Sequence, residues 1–209
     1  MIAIVHGPRG CGKTTALRRW LVRRGWMPPR GYRTFFDGGA LRLAPWSGGA
    51  PSCEIMGKPA NSGGFPSSDR PCPPRPRDPA YAPALDAFLD SVFYPPADSA
   101  PPAPLQIQPP QPVPLPPLPP SRPPWAFDAP AYWRAALAAL EGDSARPLVI
   151  DELGLFETLP GALDPSALKR LLDAIYTAPR AILVVQERAL GFWLKGVALP
   201  ESRQTARFP

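Results

Sequence analysis

The opening of the chain, MIAIVHGPRGCGKTT over Met1 to Thr15, leaves little freedom in how the rest can fold. Ile2, Ala3, Ile4 and Val5 form an apolar run too short for a helix and bounded by Gly7 and Pro8, which predicts a buried strand. From Gly7 the sequence reads G-P-R-G-C-G-K-T, matching the phosphate-loop pattern G-x-x-x-x-G-K-[ST] at every position. Leu17, Trp20 and Leu21 then recur on one helical face, and Gly25 is a natural stop. Strand, glycine-rich turn and helix follow in the order that binding a polyphosphate requires.

The spacing has a geometric cause. Gly7, Gly10 and Gly12 let the backbone curl with its N–H groups inward and no Cβ in the way. The whole run Gly7, Pro8, Arg9, Gly10, Cys11, Gly12, Lys13, Thr14 and Thr15 is the candidate nucleotide-binding segment. A helix opening near Lys13 adds unpaired N–H groups and the positive end of its dipole. Lys13 is positioned to reach the β- and γ-phosphates, and the Thr14 hydroxyl to ligate Mg²⁺. A nucleoside triphosphate such as ATP is therefore the expected ligand, with Mg²⁺ as cofactor.

The second half of such a site is a strand that ends in an acid. Leu148, Val149 and Ile150 form a short apolar strand that runs into Asp151 and Glu152. Asp151 fits the Walker B position, where a carboxylate holds Mg²⁺. Glu152 is the candidate to orient and polarise an attacking water. Arg188, just past the apolar strand Ala181 to Val185, is a further catalytic candidate, since a cation there can stabilise charge on the γ-phosphate; a surface ion pair is the competing reading. His6, at the end of the first strand, reads as a packed or hydrogen-bonded histidine.

The segments between these motifs alternate strands and helices. Gly31 to Phe36 and Ala40 to Trp46 read as a hairpin turning at Asp37-Gly38-Gly39. Ala131 to Leu140 is strongly helix-prone, and Asp164 caps a helix with Pro165 at its first position and Leu168, Leu171, Leu172 and Ile175 on one face. The expected fold class is α/β, a mainly parallel sheet flanked by helices, with residues 1–209 forming a single P-loop domain.

The 35 prolines depart most from ordinary composition. Residues 51–124 are expected to be a mostly irregular, proline-rich insertion, relieved by a short helix from Tyr81 to Phe93. Pro101 to Pro124 is more than half proline and cannot sustain a helix or a central strand. Within it, Pro117 to Arg122 has the P-x-x-P-x-R form of a polyproline ligand, so a protein partner enters as a reading beside that of a semi-rigid surface linker.

The net charge of +6 raises the question of nucleic acid. Arg18, Arg19, Arg23 and Arg24 cluster on the first helix without interleaved aromatics, so they read as a solvated face and no nucleic-acid partner is expected. The three cysteines, Cys11, Cys53 and Cys72, lack disulfide or zinc spacing. No apolar run approaches the ~20 residues that span a bilayer, and the first strand begins directly after Met1. A cytoplasmic protein with neither signal peptide nor membrane partner is expected.

Taken together, Gly-Pro-x-Gly-x-Gly-Lys-Thr-Thr over Gly7 to Thr15 and Asp151-Glu152-Leu153-Gly154-x-x-Glu157 resemble the thermophile-type nucleoside-triphosphatase family, which includes the cancer-related nucleoside-triphosphatase. Gly31-Tyr32-Arg33-Thr34 looks like that family's second strand, and Phe127-Asp128 precedes a helix in a similar way. The resemblance covers about half the chain and implies a RecA-like P-loop core and slow, Mg²⁺-dependent hydrolysis of ATP, GTP and other triphosphates to the diphosphate. Two other functions use the same phosphate loop. One is a nucleotide-gated adaptor with negligible turnover; the other is a small-molecule or nucleotide kinase. No N-K-x-D motif reads the base.

Overall fold

The structure is a computed structural model, which describes residues 1–7, 12–37, 40–48, 53–57, 81–96, 126–154, 162, 164–196 and 203–207. Its strands are β1 (Ile2–Gly7), β2 (Arg30–Asp37), β3 (Ala40–Pro45), β4 (Cys53–Gly57), β5 (Ala126–Phe127), β6 (Leu148–Leu153), β7 (Ala181–Gln186) and β8 (Arg203–Arg207). Its helices are α1 (Lys13–Arg23), α2 (Tyr81–Phe93), α3 (Ala129–Leu140) and α4 (Pro165–Thr177). The described strands form one eight-stranded sheet in the order β5-β4-β3-β2-β6-β7-β1-β8. The stretch β2-β6-β7-β1-β8 is parallel throughout, and β3, β4 and β5 extend it antiparallel.

Burial on both faces explains the unbroken apolar runs. Successive side chains alternate sides, so Ile2 and Ile4, Leu148 and Ile150, and Leu183 and Val185 pack with Tyr132, Trp133, Leu171 and Ile175 of α3 and α4. Ala3 and Val5, Val149, and Ile182 and Val184 pack on the other face with Leu17, Trp20 and Leu21 of α1 and Leu85 and Leu89 of α2. Each helix end has its own cause. Asp128 caps α3 by accepting from Ala131 N at 2.8 Å, and Asp164 caps α4 by accepting from Ser166 N at 2.9 Å and Ala167 N at 3.0 Å. At the end of α1, Gly25 N donates to Val22 O and Trp26 N to Leu21 O, a double bond pattern that closes the helix and seats Trp26 edge-on against Trp20 at 4.9 Å.

Two expectations change. The body extends into the segment expected to be irregular: β4 pairs with β3, and α2 packs on α1. Cys53–Gly57 is only five residues long, too short to stand out by pattern, and its order comes from pairing with β3 and β5. Part of the basic face of α1 is also an internal contact rather than a solvated one. Arg23 lies 2.5 Å from Asp86, and Arg24 lies 2.6 Å from Asp90. Asp90 also accepts from Trp20 Nε1 at 2.7 Å. Partial burial works against its charge, but the donors Arg24 and Trp20 outweigh it and hold the carboxyl below its ordinary range. Arg18 and Arg19 remain exposed. The chain beyond Arg188 supplies the buried Trp193 and the edge strand β8, which pairs with β1.

The polyproline-like Pro117 to Arg122, Cys11 and Cys72 lie outside the described residues. Among the described residues no helix is long and apolar enough to cross a membrane.

Gly31 shows how tightly β2 and β6 meet. Its φ is +107°, and a Cβ there would lie 2.2 Å from the Val149 carbonyl oxygen. That oxygen also accepts from the Trp46 indole at 3.1 Å, so it cannot move freely. Gly31→Ala is expected to destabilise the protein by about 3 kcal/mol or more, checked by denaturant unfolding. A loss of under about 1 kcal/mol would contradict this packing.

Candidate functional site

All the parallel strands end on one edge of the sheet, and the residues singled out for chemistry gather there. The register pairs Gly7 of β1 with Gln186 of β7, Val184 of β7 with Asp151 of β6, and Asp151 with Arg33 of β2. In open α/β sheets this carboxyl edge is where ligands bind.

The phosphate loop leaves β1 at Gly7 and enters α1 through Gly12, whose φ of +99° is left-handed and suits glycine. Lys13 Nζ donates to the Gly7 carbonyl at 2.9 Å, so its ammonium lies against the end of β1. Thr14 and Thr15 occupy the exposed first turn of α1. Pro8, Arg9, Gly10 and Cys11 lie outside the described residues.

Asp151 is only 1% exposed, and its Oδ2 has no hydrogen-bond partner among the described residues. Its carboxyl accepts from the Thr14 hydroxyl. Burial, reinforced by the charge of Glu152, pushes its pKa up to about 7 against the pull of Thr14, Lys13 and Arg33. A buried, incompletely satisfied carboxylate joined to a Thr hydroxyl beside a phosphate loop is a hard-oxygen donor set that suits Mg²⁺. Thr14 and Asp151 therefore fit the metal role expected of them.

Glu152 follows in an unusual conformation. Its φ is +88°, and the β6–β7 register shifts there, pairing Asp151 with Val184 and Leu153 with Val185 so that Glu152 bulges out of the ladder. Such a backbone costs a non-glycine residue on the order of 1–3 kcal/mol. Its side chain is anchored from both neighbouring strands. Thr34 Oγ1 of β2 donates to Oε2 at 2.6 Å, and Gln186 Nε2 of β7 donates to Oε1 at 2.5 Å.

The other candidates separate. Arg188 falls in the single 3₁₀ turn Glu187–Ala189 that leaves β7; its side chain and Glu157 lie outside the described residues. His6 is buried at the end of β1, as a packed histidine should be. Thr34 and Gln186 were not among the sequence candidates. Gly-Tyr-Arg-Thr gave some signal for Thr34, but Gln186 becomes visible only once β7 is known to lie between β6 and β1.

No protein-family model matches the chain, and no curated protein matches it in sequence. Among solved structures it is similar to THEP1 from the hyperthermophile Aquifex aeolicus, with a TM-score of 0.53 at 12% identity over 99% of this chain and 89% of that one. At that identity the likeness speaks for the fold. The chain has an α/β P-loop NTPase fold, a mainly parallel sheet flanked by helices.

The Asp151 carboxyl carries a pH signature. Between about pH 4, where an ordinary Asp has ionised, and its folded value of about 7, the nucleotide-free protein holds a proton that the unfolded chain has released. Its stability contribution is thus present at low pH and lost as pH rises through 7. Asp151→Asn is expected to melt above the wild type at pH 8, with a gap that shrinks toward pH 5. A gap of constant size across thermal melts would contradict the assignment.

Proposed function

We propose that the protein is a Mg²⁺-dependent nucleoside-triphosphatase that converts a triphosphate such as ATP or GTP to the diphosphate and phosphate. The supporting observation is the adjacency on one sheet edge of Lys13, the buried Asp151 with the Thr14 hydroxyl it accepts from, and the anchored Glu152. The structural likeness to THEP1 agrees with this at the level of fold.

In this reading, backbone amides from Gly7 to Lys13 cradle the phosphates, and the Lys13 ammonium turns from the Gly7 carbonyl to the β- and γ-groups. Thr14 and Asp151 hold Mg²⁺, which when bound neutralises charge on the phosphate oxygens. Glu152 accepts a hydrogen bond from a water aligned with the γ-phosphorus and takes its proton as the new P–O bond forms. The bond from the γ-phosphorus to the β–γ bridging oxygen breaks, and the electron pair leaves with the diphosphate. Arg188 is retained as a further candidate for stabilising that charge.

Phosphate release from Mg²⁺ complexes of ATP, GTP, CTP and UTP tests this directly. The wild type is expected to turn over slowly. Lys13→Ala should lose nucleotide binding together with release. Glu152→Gln should keep binding while kcat falls at least about 100-fold. Tight binding with no release from any triphosphate would contradict the hydrolase and favour the adaptor or the kinase.

A further inference from the structure

We infer that Thr34 and Gln186 are positioning residues that fix the Glu152 carboxylate for catalysis, and that Gly154 is glycine because the Gln186 amide needs its space. This rests on the hydrolase reading and deepens it.

Four observations meet at one side chain. Each Glu152 oxygen has its own donor, Thr34 Oγ1 on Oε2 and Gln186 Nε2 on Oε1. The donors come from β2 and β7, the two strands that flank β6. The terminal torsion of a free glutamate is broad and nearly two-fold; a donor on each oxygen from opposite sides removes that rotation. The left-handed φ of Glu152 and the bulge at its position deliver the carboxylate to these donors. A carboxylate has about four lone-pair sites, so both bonds leave room for a water.

Gly154 completes the arrangement. A Cβ at this position would lie 2.9 Å from Gln186 Nε2, 3.0 Å from its Cδ and 3.1 Å from its Oε1. The backbone there cannot simply retreat, because the Gly154 carbonyl accepts from the buried Trp193 indole at 3.3 Å. Gln186 is also in register with Gly7, the first residue of the phosphate loop. Gln186 thus joins the base to the end of β1, where the phosphate loop begins. Stability alone does not call for two neutral donors, from different strands, on one half-buried carboxylate.

The test combines kinetics with a spectroscopic readout on the full chain. Thr34→Val and Gln186→Ala should each lower kcat by about 10- to 100-fold, as small misplacements of a reacting group do, with KM and the Kd for Mg²⁺·ATP little changed. Thr34→Ser keeps the hydroxyl and should restore kcat to near the wild-type value. Gly154→Ala should match Gln186→Ala, and the double variant should be no worse than either alone, the non-additivity of two changes to one interaction. In the nucleotide-free protein, the Gln186 side-chain amide resonance should move when Glu152 is replaced by alanine.

A kcat that survives Thr34→Val and Gln186→Ala would overturn the role. So would a fall in kcat matched by equal weakening of nucleotide binding, or an amide resonance indifferent to Glu152→Ala. A wild type that releases no phosphate, with the amide resonance still responding to Glu152→Ala, would instead sink the hydrolase reading and take the catalytic role with it.

Discussion

Parallel pairing of β2, β6, β7 and β1 is the constraint from which the site follows. Parallel strands share a direction, so their carboxyl ends open together on one edge. Lys13, Thr14, Asp151, Glu152, Thr34 and Gln186 are spread over more than 150 positions of the sequence, and that edge brings them together. Packing helices on both faces makes the arrangement stable, because β1, β6 and β7 bury both rows of their apolar side chains. The antiparallel extension β3–β5 and the docking of α2 on α1 widen this body.

Two features of that edge work against stability. Asp151 keeps a carboxyl almost wholly out of water, with one oxygen unpartnered among the described residues, and Glu152 sits in a left-handed backbone. Neither is needed to hold the sheet, since neighbouring Val149 and Ile150 satisfy the packing. Strain and desolvation of this kind persist where surrounding structure over-determines them, and they collect at functional sites. Here the surroundings are the rigid strands on either side of β6.

The readability of the chain follows the range of the interactions. The strand before the phosphate loop and the helix after it, the acidic end of β6 and the Asp164 cap are local patterns, and their described residues stand where the sequence predicts. α2 was legible from Leu85, Phe88, Leu89 and Val92, but its salt bridges from Asp86 and Asp90 to α1 were not, because they join residues more than 60 positions apart. β4 and β8 carry little apolar alternation of their own and take their order from pairing with neighbours. Gln186 is the clearest case: after an apolar strand it looks like any polar residue leaving the core. It acquires meaning from strand order, and strand order is not a local property.

The central claim is that this edge binds a nucleoside triphosphate with Mg²⁺. The most direct measurement is equilibrium binding of a non-hydrolysable ATP analogue to the wild-type protein, with and without Mg²⁺. The account predicts one saturable site per chain that Mg²⁺ tightens by at least about tenfold, or ~1.4 kcal/mol. Absence of saturable binding, or an affinity indifferent to Mg²⁺, would contradict it.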